Sequence, residues 1–285
     1  MPSRRGEPPE PLPGIVDAHA HTWSREFEAD RAAVLDRAWA AGVARIVDVG
    51  VDVRTSALCR AYAASDPRFV AVAGIHPHEA KHLGRDAAAF RALVESGGFA
   101  AAGEIGLDFH YNFSTPEEQR AAFAWQLDLA LEHRLPVVVH ARNADEECFR
   151  TLEAWSRRAV PAFEAGRPVG MMHCFSGDLG LARRYIEIGF VISMPGTVTF
   201  RGNERTQTVA AGIPLASMLV ETDCPYLTPA PHRGLRNEPA YVVETARFVA
   251  ALRGVRPEEV AQATSATAAR FFGFEAPIEA AAGTA

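Results

Sequence analysis

Eight short apolar runs rich in β-branched residues, separated by helix-like segments, set the strongest limit on how this chain can fold. They cover 14–21, 45–51, 69–77, 101–108, 136–142, 169–177, 190–196 and 218–225. Runs this short and this continuously apolar fit strands covered on both faces, which is what a parallel sheet demands. The segments between them carry helix signals. Thr115-Pro116-Glu117-Glu118 places an N-cap, a proline at the first helical position and a glutamate at the third. Phe123, Leu127, Ala130 and Leu131 then recur at helical spacing. Residues 25–41, 54–65, 86–96, 143–158, 178–188 and 203–211 are read as further helices, with 238–253 and 257–271 following the last run.

Eight strands alternating with helices over roughly 260 residues match a single-domain α/β fold of the (β/α)8 TIM-barrel type. A doubly wound open sheet would announce itself by a glycine-rich strand-to-helix turn, and no G-x-G-x-x-G occurs. The expected layout is a disordered leader over 1–13, a barrel over 14–272 and a flexible tail over 273–285.

Composition narrows the function classes. The chain is 48% hydrophobic and 22% charged, an ordinary globular balance. No run of 18 apolar residues exists, so no membrane span is expected. Arg4-Arg5 is followed by prolines and glutamates instead of an apolar segment, which argues against export. Four cysteines without C-x-x-C spacing point to a reducing cytoplasm. A net charge of −6 excludes a general nucleic-acid coat protein but not an enzyme with a locally basic cleft. Among the basic residues only Lys81 is a lysine. The oligomeric state is not legible, and a monomer is the default.

Metal-ligand residue types fall at the carboxyl ends of these runs, the face on which barrel active sites are built. His19 and His21 end the first, His76 and His78 follow the third, and Glu104 and Asp108 lie on the fourth. His140 ends the fifth, His173 the sixth, and Glu221 with Asp223 the eighth. On a strand, His19 and His21 share a face, as do Glu221 and Asp223. Asp108 and Glu221 are read as supporting residues. Cys174 and Cys224, each directly after a ligand candidate, are expected to point away from the interior. The remaining donors are imidazole and oxygen, which suit Mg²⁺, Mn²⁺ or Zn²⁺. Their number suits two divalent metal ions sharing a carboxylate better than one tetrahedral ion. No aromatic platform for unpaired bases is evident; Trp23 and Phe109 are better read as packing residues.

The motifs D-A-H-A-H, G-I-H-P-H, G-E-I-G-L-D, V-V-H-A-R, H-C-F-S-G, E-T-D-C-P-Y-L and R-N-E-P-A-Y-V occur in one order from residue 14 to about 272. In this the chain closely resembles the TatD family of metal-dependent hydrolases and deoxyribonucleases. The resemblance implies a barrel of the amidohydrolase kind. It implies one ion among His19, His21, Glu104 and Asp223, with Glu104 bridging to a second held by His140 and His173. Many members of the wider superfamily bridge with a carboxylated lysine at the end of the fourth strand. Glu104 stands there in this chain, favouring the TatD-like branch over a urease- or dihydroorotase-like one.

The resemblance also implies DNA as substrate and phosphodiester hydrolysis, including 3′-5′ exonuclease action, with Asp223 as general base and His78 against the substrate phosphate. Arg142, two residues past His140, can offer a bidentate fork to a phosphate. Arg233 belongs to the basic stretch 232–238, which either lines a nucleic-acid groove or is a surface loop with a helix cap at Asn237. Two alternatives stay open: an amide or ester hydrolase using the same activated water, and a non-catalytic barrel that binds nucleic acid or a protein.

Overall fold

A computed structural model describes residues 6–276. The strands are β1 (Ile15–Ala20), β2 (Val43–Val49), β3 (Phe69–Ala73), β4 (Ala101–Asp108), β5 (Val137–Arg142), β6 (Gly170–Met172), β7 (Phe190–Met194) and β8 (Met218–Val220). The helices between them are α1 (Arg31–Ala40), α2 (Val53–Ser65), α3 (Leu83–Glu95), α4 (Pro116–Glu132), α5 (Asp145–Ala159), α6 (Leu179–Glu187) and α7 (Glu204–Gly212). Two more, α8 (Val242–Arg253) and α9 (Pro257–Phe272), follow β8. The strands form one eight-stranded sheet in the order β1 to β8. Beyond β8, Ala20 forms a parallel bridge with Cys224, and the Asp223 and His21 amides donate to His19 and Cys224 carbonyls at 2.9 and 3.0 Å. This is a (β/α)8 barrel, as the eight runs predict.

Local sequence explains the elements. β1, β3, β4, β6, β7 and β8 are buried at every position, so they read as continuous apolar runs and not as alternating ones. At the start of α4 the expected capping box forms. The Glu118 amide donates to the Thr115 hydroxyl, and the Thr115 amide donates to the Glu118 carboxylate at 2.7 Å. Phe123, Leu127 and Ala130 are buried along α4. α9 is tied to β1 by the Ser265 hydroxyl, which donates to the Gly14 carbonyl and accepts from the Val16 amide.

Cα packing divides the chain into two compact units. One runs to Val47 with Ser176–Ala182 and everything from Ser193; the other is Asp48–Phe175 with Arg183–Ile192. Of the four boundaries, two fall inside β2 and β7, one inside α6 and one in the loop between β6 and α6. In the first unit, the stretch 6–13 expected as a leader is anchored at two points: Pro9 and Leu12 are buried, and the Leu12 amide donates to the Ala41 carbonyl. The Gly6 amide reaches His232 Nδ1 at 3.2 Å. Burying Leu12 offsets the cost of ordering a proline-rich stretch that already has few conformations to lose. Residues 1–5 and 277–285 of the expected tails lie outside the described residues. No helix among the described residues is long and apolar enough to cross a membrane.

Candidate metal centre

Two sets of polar side chains follow the strand ends, one in each unit. In the unit that holds β3 to β6, three imidazoles converge on one oxygen of Glu104. His140 Nδ1 lies 2.9 Å, His76 Nε2 3.5 Å and His173 Nε2 3.6 Å from Glu104 Oε1. Glu104 and His173 are buried. The first distance is a hydrogen bond, but the other two are long for one. They match instead the edge of a coordination tetrahedron, about 3.4 Å for metal–donor bonds of about 2.0–2.2 Å. His76, Glu104 and His140 are placed so that they could hold a metal ion.

The sequence of β4 makes this convergence possible. Its register with β5 runs evenly from Ile105 to Asp108 but slips between Ala102 and Ile105. The irregularity falls on Gly103-Glu104, and such bulges re-aim a side chain beside active sites. Gly106 pairs with His140, at φ +138°, and a Cβ there would come within 2.0 Å of the His140 carbonyl oxygen. Only glycine permits that approach.

Proton positions separate the imidazoles. His76 Nδ1 accepts from the His78 amide at 3.1 Å, which leaves its own proton on Nε2, facing Glu104. Burial pushes the His76 pKa down to about 4, so the ring is neutral and has no second lone pair to offer. In the metal-free protein His76 thus turns its Nε2 proton toward the carboxylate. His140 lies between two carboxylates, with Nδ1 on Glu104 and Nε2 3.3 Å from Asp108 Oδ2. Burial opposes its charge, but the Asp108 and Glu104 hydrogen bonds prevail and push its pKa up to about 9. Burial also opposes ionisation of Asp108. The His140, Tyr111, His78 and His110 hydrogen bonds overcome it and hold that carboxyl well below the usual range.

In the other unit, His19 Nε2 lies 3.3 Å from His21 Nε2, and His21 Nε2 lies 3.4 Å from Asp223 Oδ1. The same tetrahedral-edge spacing recurs. Behind this set Asp17 is fully buried, with one oxygen accepting from the Thr222 hydroxyl at 2.6 Å and the other from the Thr222 amide at 2.9 Å. Burial pushes the Asp17 carboxyl up to about 8. The loop after β8 is held by Asn237, whose side-chain amide donates to the Thr222 carbonyl at 2.8 Å. Asn237 therefore braces this loop and caps no helix.

The family described as TatD related DNase matches residues 16–273. The chain belongs to this family. It is 36% identical over 259 residues to the uncharacterized metal-dependent hydrolase YabD of Bacillus subtilis, covering 90% of this chain and 98% of the relative. It is 37% identical over 265 residues to the 3′-5′ ssDNA/RNA exonuclease TatD of Cronobacter sakazakii, covering 90% and 97%. The crystal structure of the TatD homologue YJJV from Escherichia coli superposes with a TM-score of 0.85 at 29% identity, covering 93% of this chain and all of that one.

Of the residues singled out in this TatD-family sequence, the structure groups Glu104, His140 and His173 in one unit, and His19, His21 and Asp223 in the other. His78 Nε2 lies 2.9 Å from Asp108 Oδ2. Arg142 is exposed, with its guanidinium 4.7 Å over the Tyr111 ring. Arg233 is exposed and lies 3.7 Å over Phe200, while its neighbour Arg236 is paired with Asp30 at 2.7 Å.

Two expectations need correcting. Strand alternation does not govern Cys174 or Asp223, because β6 ends at Met172 and β8 at Val220, and both residues have positive φ (46° and 55°). Asp108 takes the supporting part expected of it, with His78 Nε2 and His140 Nε2 at 2.9 and 3.3 Å from its Oδ2. Exposed aromatics do stand beside His78: Tyr111 and Phe113. The run Phe109-His110-Tyr111-Asn112-Phe113 was the available signal for them.

Proposed function

We propose that this chain is a metal-dependent phosphodiesterase that degrades single-stranded DNA or RNA, working from the 3′ end. The observation that carries the reading is the convergence of three imidazole nitrogens on one oxygen of Glu104, at 2.9, 3.5 and 3.6 Å. Relatives named as 3′-5′ ssDNA/RNA exonucleases at 34–37% identity support the substrate class. His19, His21, Glu104 and Asp223 would hold one divalent ion, and Glu104, His140 and His173 a second, with Mg²⁺, Mn²⁺ and Zn²⁺ all compatible with these donors. The free cysteines suit a cytoplasmic enzyme.

When bound, such ions lower the pKa of coordinated water and offset charge on the phosphate. The chain's own residues do the rest. Asp223 orients the attacking water and takes its proton. Asp108, kept ionised, holds His78 and His140 in place through its Oδ2. His78 and Arg142 donate to the substrate phosphate, and Arg233 contacts the strand further along.

Purified enzyme reconstituted with Mn²⁺ would be offered 5′-labelled single-stranded DNA, RNA, duplex DNA and an amide and ester panel. The expected product is a ladder shortening from the 3′ end of the single strands. Turnover of amides or carboxylic esters with intact oligonucleotides would refute the reading.

A further inference from the structure

The β4–α4 loop carries a feature that hydrolysis alone does not require. Tyr111 and Phe113 are 40% and 55% exposed, whereas the other large rings of that unit are buried or half-buried. Their ring centroids lie 5.6 Å apart at an angle of 34°. Both border His78, at 5.5 Å for Tyr111 and 4.8 Å for Phe113. The Arg142 guanidinium lies 4.7 Å from the Tyr111 ring, so the aromatic surface includes a cation.

Hydrogen bonds hold both ends of the loop that carries these rings. Asp108 Oδ1 accepts from the His110 and Tyr111 amides at 2.9 and 3.0 Å. At the far end the Ser114 hydroxyl donates to the His78 carbonyl and accepts from the Lys81 amide. Gln119 bonds the Asp108 amide and carbonyl and the Ser114 carbonyl from within α4. The rings are therefore presented on a fixed support, at a cost in unburied apolar area that the fold gives no reason for.

From this geometry we infer that Tyr111 and Phe113 form a stacking platform for unpaired bases of a nucleic-acid strand, with Arg142 taking an adjacent phosphate. The inference rests on the nuclease reading above and deepens it. The platform is joined to the reacting centre through His78, Asp108 and His140, at 2.9 and 3.3 Å in turn. An occupant seated here thus lies next to the bond to be cut. A flat, cation-edged aromatic surface suits a base and its phosphate, since every base offers a π-face. Stacking on two rings tolerates any sequence but requires unpaired bases, and so selects single strands over duplex.

The test uses full-length, Mn²⁺-loaded enzyme and two single-stranded oligonucleotides of equal length, one normal and one abasic at its three 3′-terminal positions. KM is measured for each, and binding is followed by anisotropy. Wild type is expected to favour the normal strand by about tenfold or more in KM, within the range of alanine effects at stacking sites. Tyr111→Ala/Phe113→Ala is expected to abolish that preference, bringing the ratio of the two KM values to about one. Tyr111→Phe/Phe113→Tyr is expected to retain it. Persistence of the preference in the double alanine variant would overturn the platform alone. A wild type that cuts neither strand would overturn the nuclease reading, and the platform with it.

Discussion

Replacing Glu104 by glutamine is the sharpest test of the metal centre, because one oxygen of that residue faces three imidazole nitrogens within 3.6 Å. Glutamine keeps the size of the buried side chain and removes its charge. Outer partners of metal ligands change affinity by about 10–100-fold, so loss of a shared ligand should reach at least about 100-fold, or about 2.7 kcal/mol. At a metal concentration 100 times the wild-type Kd, wild type gains about 2.7 kcal/mol of stability and the variant about 0.4 kcal/mol. At about 2–4 °C per kcal/mol, metal should raise the wild-type Tm by about 5–10 °C and the variant's by about 1 °C. Each protein is compared with its own chelated form by calorimetry, which removes any change in metal-free stability. An equal metal-induced rise in both proteins would show that Glu104 is not a ligand.

Three further outcomes are expected. His140 carries a proton up to about pH 9 in the metal-free protein, and an ion must displace it. Affinity should therefore fall about tenfold per pH unit below 9, with proton release in calorimetric titrations; affinity flat between pH 6.5 and 8.5 would refute this. Asp223→Asn should lower kcat by about 10²–10⁴ with unchanged circular dichroism, and full activity would remove Asp223 from the general-base role. Because burial raises the Asp17 pKa to about 8, the folded state holds its proton more tightly than the unfolded chain does. The stability this contributes is present below about pH 4 and lost as pH rises through about 8. Chelated wild type should lose more urea resistance between pH 4 and pH 8.5 than Asp17→Asn, and parallel losses would contradict the assignment.

The fold was legible because a barrel strand buried on both sides cannot hide its apolar run, and the capping box at Thr115 marks a helix start by backbone chemistry alone. The histidines and carboxylates were legible as residue types at strand ends. Their orientation was not. Alternation holds only while a strand lasts, and β6 and β8 stop three residues long, so Cys174 and Asp223 take left-handed backbone that the period-two argument does not cover. The slip in β4 register leaves no compositional mark beyond Gly103, since any bulge is a matter of how two strands meet.

His76 shows most clearly what sequence position leaves undecided. His19, His76, His140 and His173 all follow apolar runs, and by residue type alone each is an equal candidate for coordination. The difference lies in a backbone amide: His78 N–H occupies the Nδ1 lone pair of His76 and forces the proton to Nε2. His140 instead has a carboxylate at each nitrogen, so both of its nitrogens are donors until an ion takes the place of a proton. The same residue type is thus a donor on the loop after β3 and an exchangeable ligand on β5. The choice between them is made by the turn after β3, where Pro77 starts a 3-10 turn and brings the His78 amide back onto His76. A lengthened turn there would release Nδ1, let the ring change tautomer, and add a competing nitrogen beside Glu104.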